Sequence, residues 1–207
     1  MGEQAVSFAG LDQARRGCIM RLIRIWLVMA VVVIAIIVIV RRSAVTEPER
    51  ILAALDQWVS LETPAGFYPY RKNSFFGASA ITFWDKQHLG EDGRTTALIA
   101  FFRDSRWPEE DLDDWPAERL AELESQFASL EFKVRAKSSE VLGTDPWDVI
   151  HIYSGIQAMD NRMEEALACY RFLKTRAGIV QAHTLGLESS FPLEHQLQVL
   201  RSVVPRR

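Results

Sequence analysis

The chain has 207 residues, a net charge of −3 and a charged fraction of 25%, which suits one ordinary folded domain and excludes a highly charged, disordered polypeptide. The charge is unevenly divided, with +4 on residues 1–42 and −7 on residues 43–207. An acidic C-terminal part repels phosphate backbones, so no nucleic acid partner is expected, and two cysteines are too few for a disulfide scaffold.

Residues 1–21 form a short basic lead, and Leu22 to Val40 is then an apolar run of 19 residues broken only by Arg24. As a helix that run is roughly 28 Å long, close to the ~30 Å hydrocarbon core of a bilayer. Arg24 sits near its start, where a long side chain snorkels to the headgroups. The run exceeds a signal-peptide core and ends in Arg41 and Arg42 without small residues suited to cleavage, so 22–40 is expected to be an uncleaved transmembrane signal-anchor. Arg15, Arg16, Arg21 and Arg24 stand against Arg41, Arg42 and Arg50. That bias predicts a cytoplasmic N-terminus, with the C-terminal domain outside the cytoplasm at the cell inner membrane. The linker at 41–46 spans at most about 20 Å, so the soluble domain at 47–207 is expected close to the bilayer.

Thr46 to Glu49 reads as a capping box with Pro48 just inside the helix, followed by Ile51, Leu52, Leu55, Trp58 and Val59 on one face. Strands are predicted at 67–71, 78–85 and 94–103, the last two joined by a turn-rich loop at 88–93. Residues 97–102 are apolar on both alternations, which predicts a central strand covered on both faces. Pro116 opens an amphipathic helix with Leu120, Leu123, Phe127 and Leu130 inward and Glu118, Glu122 and Glu124 outward. Short strands follow at 131–137 and 140–142, then a strand at 147–153, a hairpin of 166–174 with 179–187, and a helix at 193–204. The fold class is therefore α+β, an antiparallel sheet flanked by helices and preceded by one N-terminal transmembrane helix.

The closing run, Ala168 to Phe172, then Val180 to Thr184, then a helix ending Gln198 to Ser202, resembles the end of PsbP-like domains. The earlier hairpin, long helix and strand at 147–153 extend the resemblance over about residues 66–204. It is a likeness of element order without a fixed motif. It implies a PsbP-like sandwich and a non-catalytic role in binding other proteins, and it brings no binding residue with it.

Catalytic patterns are absent from the sequence. The four histidines form no metal-ligand spacing, and there is no glycine-flanked serine elbow, S-x-x-K or P-loop. His151 and His183 lie on predicted strands and are neighbours if those strands pair. His88 and His195 read as solvated. A hydrolase assembled from distant strands would need His151 or His183 beside a Ser, an Asp or Cys169. Cys169 itself reads as a small core residue, and Cys18 lies on the other side of the anchor. The oddest stretch is 106–117, where five acids between residues 109 and 114 are bracketed by two Trp-Pro pairs. It lacks the spacing and glycine of a calcium loop, and its acids suit a helix start. Trp107 and Trp115 are interface candidates if exposed and packing residues if not.

No metal site and no cofactor is expected, and binding is favoured over catalysis. The expected role is a membrane-anchored accessory, binding or assembly factor at the membrane surface. Its partners are the membrane, through the N-terminal helix, and another membrane or envelope protein. The alternative is a small-ligand or lipid carrier or sensor whose sheet and long helix enclose a pocket.

Overall fold

The computed structural model describes residues 44–86, 96–107, 115–127, 131–145, 147–159 and 162–207. The expected membrane segment and its basic lead, Cys18, the loop at 88–93 and the acids at 109–114 lie outside them. Among the described residues no helix is long and apolar enough to cross a membrane.

The chain forms helix α1 (Pro48–Leu55), a short β1 (Val59–Ser60), then β2 (Phe67–Phe75), β3 (Ala78–Asp85) and β4 (Ala97–Asp104). Helix α2 (Trp115–Phe127) follows, then β5 (Phe132–Val141), β6 (Val149–Met159), β7 (Arg162–Thr175), β8 (Gly178–Leu187), helix α3 (Leu193–Ser202) and β9 (Val204–Pro205). Seven strands make one antiparallel sheet in the order β2-β3-β4-β8-β7-β6-β5, while β1 pairs with β9.

The period-two alternation of the strands divides their side chains between two cores. On one face Ile81, Phe83, Ile99, Phe101, Val180 and Leu173 pack beneath Ile51 and Leu55 of α1 and Leu197 and Leu200 of α3. On the other, Trp115, Leu120, Leu123 and Phe127 of α2 cover Phe132, Tyr153, Tyr170 and Phe172. Each large apolar side chain so buried contributes roughly 1.5–3 kcal/mol. Strand β4, apolar on both alternations, lies between β3 and β8 inside the sheet, as its pattern predicts.

Several boundaries differ from the sequence expectation. No capping box forms: Glu47 is the N-cap of α1 and makes no side-chain cap bond. Its carboxylate instead pairs with Arg50 at 2.8 Å. Trp58 and Val59 are buried, but past the end of α1, with Val59 in β1. The two short strands expected at 131–142 are one strand, β5, with a register irregularity between Val134 and Ala136. Glu124 does not face away from the sheet. It accepts hydrogen bonds from Tyr153 Oη at 3.1 Å and Lys137 Nζ at 2.5 Å, and the Lys137 ammonium holds its carboxyl below the usual range. The final helix stops at Ser202, because Val203 is extended and Val204 turns into β9.

Candidate functional site

A cavity of about 480 Å³ lies on the α1/α3 face between the loop at 62–66, the end of β3 and α3. Its wall is built by local geometry. Phe67 N donates to Pro64 O at 3.1 Å, closing a turn that carries Gly66 at φ +88°. Only glycine adopts that conformation at little cost, and Lys86 N then donates to Gly66 O at 2.9 Å, holding the loop against the end of β3. The turn brings Asp85, 5% exposed, to the cavity wall beside Gly66.

The opposite wall is α3, anchored from below by Gln196. That side chain accepts from Thr184 Oγ1 at 2.7 Å and donates to Phe191 O at 2.8 Å. With Gln196 turned inward, the helix period places His195, Gln198, Val199 and Ser202 along the cavity. The cavity is thus lined by the buried Asp85, the exposed His195 and Thr63 over an apolar floor of Phe67 and Phe191, whose rings lie 5.0 Å apart. Ser190 Oγ donates to Leu187 O and Ser202 Oγ donates to Val199 O, so both hydroxyls are committed to backbone carbonyls. The arrangement suits recognition of a small polar ligand, and neither serine has the imidazole contact that activates a nucleophile.

A second cavity of about 440 Å³ opens where β7 runs past the start of β6, between residues 145–148 and 203–207. Its centre is Arg171, 8% exposed, whose Nη1 donates to Leu200 O at 2.6 Å and Val203 O at 3.0 Å while Nη2 donates to Asp148 at 2.7 Å. A cation at the C-terminus of α3 satisfies carbonyls the helix leaves unpaired and complements its dipole. This is a structural role. Lys174 lies over the Trp147 ring at 4.5 Å on the same wall.

The histidines do not assemble into a site. His151 and His183 lie on the same face but on either side of Tyr170, its register partner on both flanking strands, so one full strand separates them. His183 Nδ1 meets Gln181 Nε2 at 3.3 Å, and its ring stacks on Tyr170. Burial pushes the His183 imidazole down to about 4 and lowers His151 as well. Cys169 is fully buried on the opposite face, and burial pushes its thiol up to about 12, which makes it inert. Among the described residues no group of three or more His, Cys, Asp or Glu is placed to hold a metal ion.

Trp107 and Trp115 serve packing. Trp115 is 9% exposed and stacks on Trp147, with centroids 5.7 Å apart. Trp107 is half-buried between Phe102 and Trp115, with the Arg119 guanidinium over its ring. These aromatics, with Phe127, Tyr153 and Phe172, fill the space between α2 and the sheet. The cavity of about 480 Å³ lies on the other face. The sequence reading missed Asp85 as a cavity residue, although an acid two places after the buried Phe83, on the inward alternation, was a signal of it.

No known family model matches this chain, and no curated protein matches it. One solved structure overlaps it, the crystal structure of LpqN, which is involved in cell envelope biogenesis of Mycobacterium tuberculosis. The overlap covers 72% of this chain and 83% of that one, at a TM-score of 0.40 and 10% identity. No residue of either cavity is carried over from it.

Proposed function

We propose that this protein is a single-pass membrane-anchored accessory or assembly factor, whose folded domain acts by binding at the membrane surface. The observation that carries this reading is how early the fold begins. Val45 and Lys72 exchange backbone hydrogen bonds of 2.8 Å in each direction, only five residues after the apolar run ends at Val40. Five residues span at most roughly 18 Å, so a span at 22–40 holds the domain at the bilayer and restricts it to partners found there. The arginine bias favours a domain outside the cytoplasm, at the cell inner membrane, and a membrane or envelope protein as partner. The PsbP-like likeness of element order, which implies a role in binding other proteins, supports the same reading.

A second reading, a small-ligand sensor, is favoured by the cavity at Asp85 and His195. Purification of the full chain in mild detergent separates the two. A stoichiometric protein partner is expected. A small molecule recovered by mass spectrometry without such a partner would favour the cavity, and repeated recovery of a bare monomer would count against both.

A further inference from the structure

The turn joining β2 to β3 carries the most exposed large apolar side chain among the described residues. Phe76 is 82% exposed and Phe75 is 39% exposed, and their rings meet edge to face at 4.3 Å. Phe76 and Gly77 both have positive φ, +46° and +86°. A two-residue hairpin turn of that kind normally takes Asn or Asp before its glycine, because a bulky side chain in the left-handed region is disfavoured. Here that position holds a phenylalanine that points to water and buries little against its own domain. A residue costly to fold and unused by the core suggests a use outside it.

Three observations say what covers this tip. The bridge between Val45 and Lys72 is antiparallel, so the chain from Val45 back to Ala44 runs toward the Phe75 end of β2. The tip lies three residues beyond Lys72, about 10 Å along the strand, at the end of β2 toward which the described chain runs back to Ala44. Basic residues gather at that end of the sheet: Arg103 pairs in register with Ser79, and Ser105 N donates to Gly77 O just before exposed Arg106. Exposed Arg176 forms the neighbouring β7–β8 turn and donates its N–H to Arg206 O. Asp56, Asp104, Glu140 and Asp148 at this end are paired with Arg206, Arg106, Arg201 and Arg171, and Asp145 accepts from Trp147 N. At the far end the groove lining is acidic, with Glu164, Glu165 and Glu188. This end of an acidic domain thus carries Arg103, Arg106 and Arg176 near the tip.

We propose that the Phe75–Phe76 tip is a membrane-contact element, which inserts at the headgroup boundary of an anionic bilayer and docks the domain by this basic end. Aromatic side chains favour that boundary, and arginines beside them meet the anionic headgroups. The proposal rests on the reading of 22–40 as a membrane span, and fixes which end of the domain faces the lipid.

The test uses the full chain with Cys18→Ser, reconstituted in vesicles of phosphatidylcholine with phosphatidylglycerol. A polarity-sensitive fluorophore is attached through Ser105→Cys beside the tip or, as control, through Met163→Cys at the far end, while Cys169 stays buried. Flotation after an alkaline wash comes first, and a chain left at the bottom overturns the span reading and the proposal together. For chains that float, lipid-borne quenchers should quench the label at 105 roughly threefold more than the label at 163. Phe75→Ser with Phe76→Ser, checked for native circular dichroism, should abolish the difference, and about 0.5 M salt should reduce it. Equal quenching at both positions in floating protein, or quenching indifferent to the double substitution, overturns the proposal alone. So does a tip label shielded from water but unquenched by lipid, which would mean a protein partner or a second copy.

Discussion

His183 shows how one half-buried side chain is tied to pH. In the unfolded chain an imidazole titrates near 6.5, whereas burial pushes folded His183 down to about 4, with Arg119 adding repulsion. Between those values the unfolded chain takes up a proton that the folded domain refuses, so stability present above pH 6.5 is lost as pH falls toward 4. His151 is lowered by burial as well and acts in the same direction. Urea unfolding at pH 7 and 4.5 should show the native domain losing up to roughly 3 kcal/mol, and His183→Phe should show a clearly smaller loss. An unchanged loss in the variant would mean that His183 is open to water when folded. The alternation of β8 placed His183 on a face. It did not show that the neighbours on that face would be Tyr170, Gln181 and Arg119.

Helix α3 depends on a residue far from it in sequence. Its inward face was legible from the spacing of Leu193, Leu197 and Leu200, but its end was not, because the group that terminates it is Arg171 on β7. Arg171→Met should cost about 2–4 kcal/mol in chemical denaturation, since it leaves two buried carbonyls and Asp148 without their donor. Arg171→Lys should fall between the two, because an ammonium keeps the charge but lacks the fork that reaches three acceptors. Equal stability of native and Met variants would refute the cap. The β2–β3 turn was legible only in part. Strands were expected at 67–71 and 78–85, whereas β2 runs on to Phe75 and the φ values at Phe76 and Gly77 place the turn. The β7–β8 hairpin was easier to see, because Thr175 to Gly178 carries ordinary turn residues between two apolar runs.

On the scale of the whole domain, the C-terminal end of the chain is tied back to β1 and to the β7–β8 turn. β1 pairs with β9, Arg206 N donates to Trp58 O at 3.0 Å, and Arg176 N donates to Arg206 O at 2.8 Å. Removing residues 204–207 deletes these bonds and the Arg206 pairing with Asp56, and should lower stability by about 2–3 kcal/mol at roughly 1 kcal/mol per bond. A melting temperature unchanged by the truncation would show that the ribbon is dispensable. By itself, the sequence determined the α+β class, the antiparallel hairpin of β7 with β8, the two-sided burial of β4 and the inward faces of α2 and α3. All of these follow from periodicities of 2 and 3.6, which are local properties of a chain. Tertiary structure alone decided the strand order, the cavity at Asp85, the packing of Trp107 and Trp115, and the gathering of cations beside Phe76. Those depend on which distant segments meet, and pairing across the sheet is written in complementary surfaces that no single stretch of residues displays.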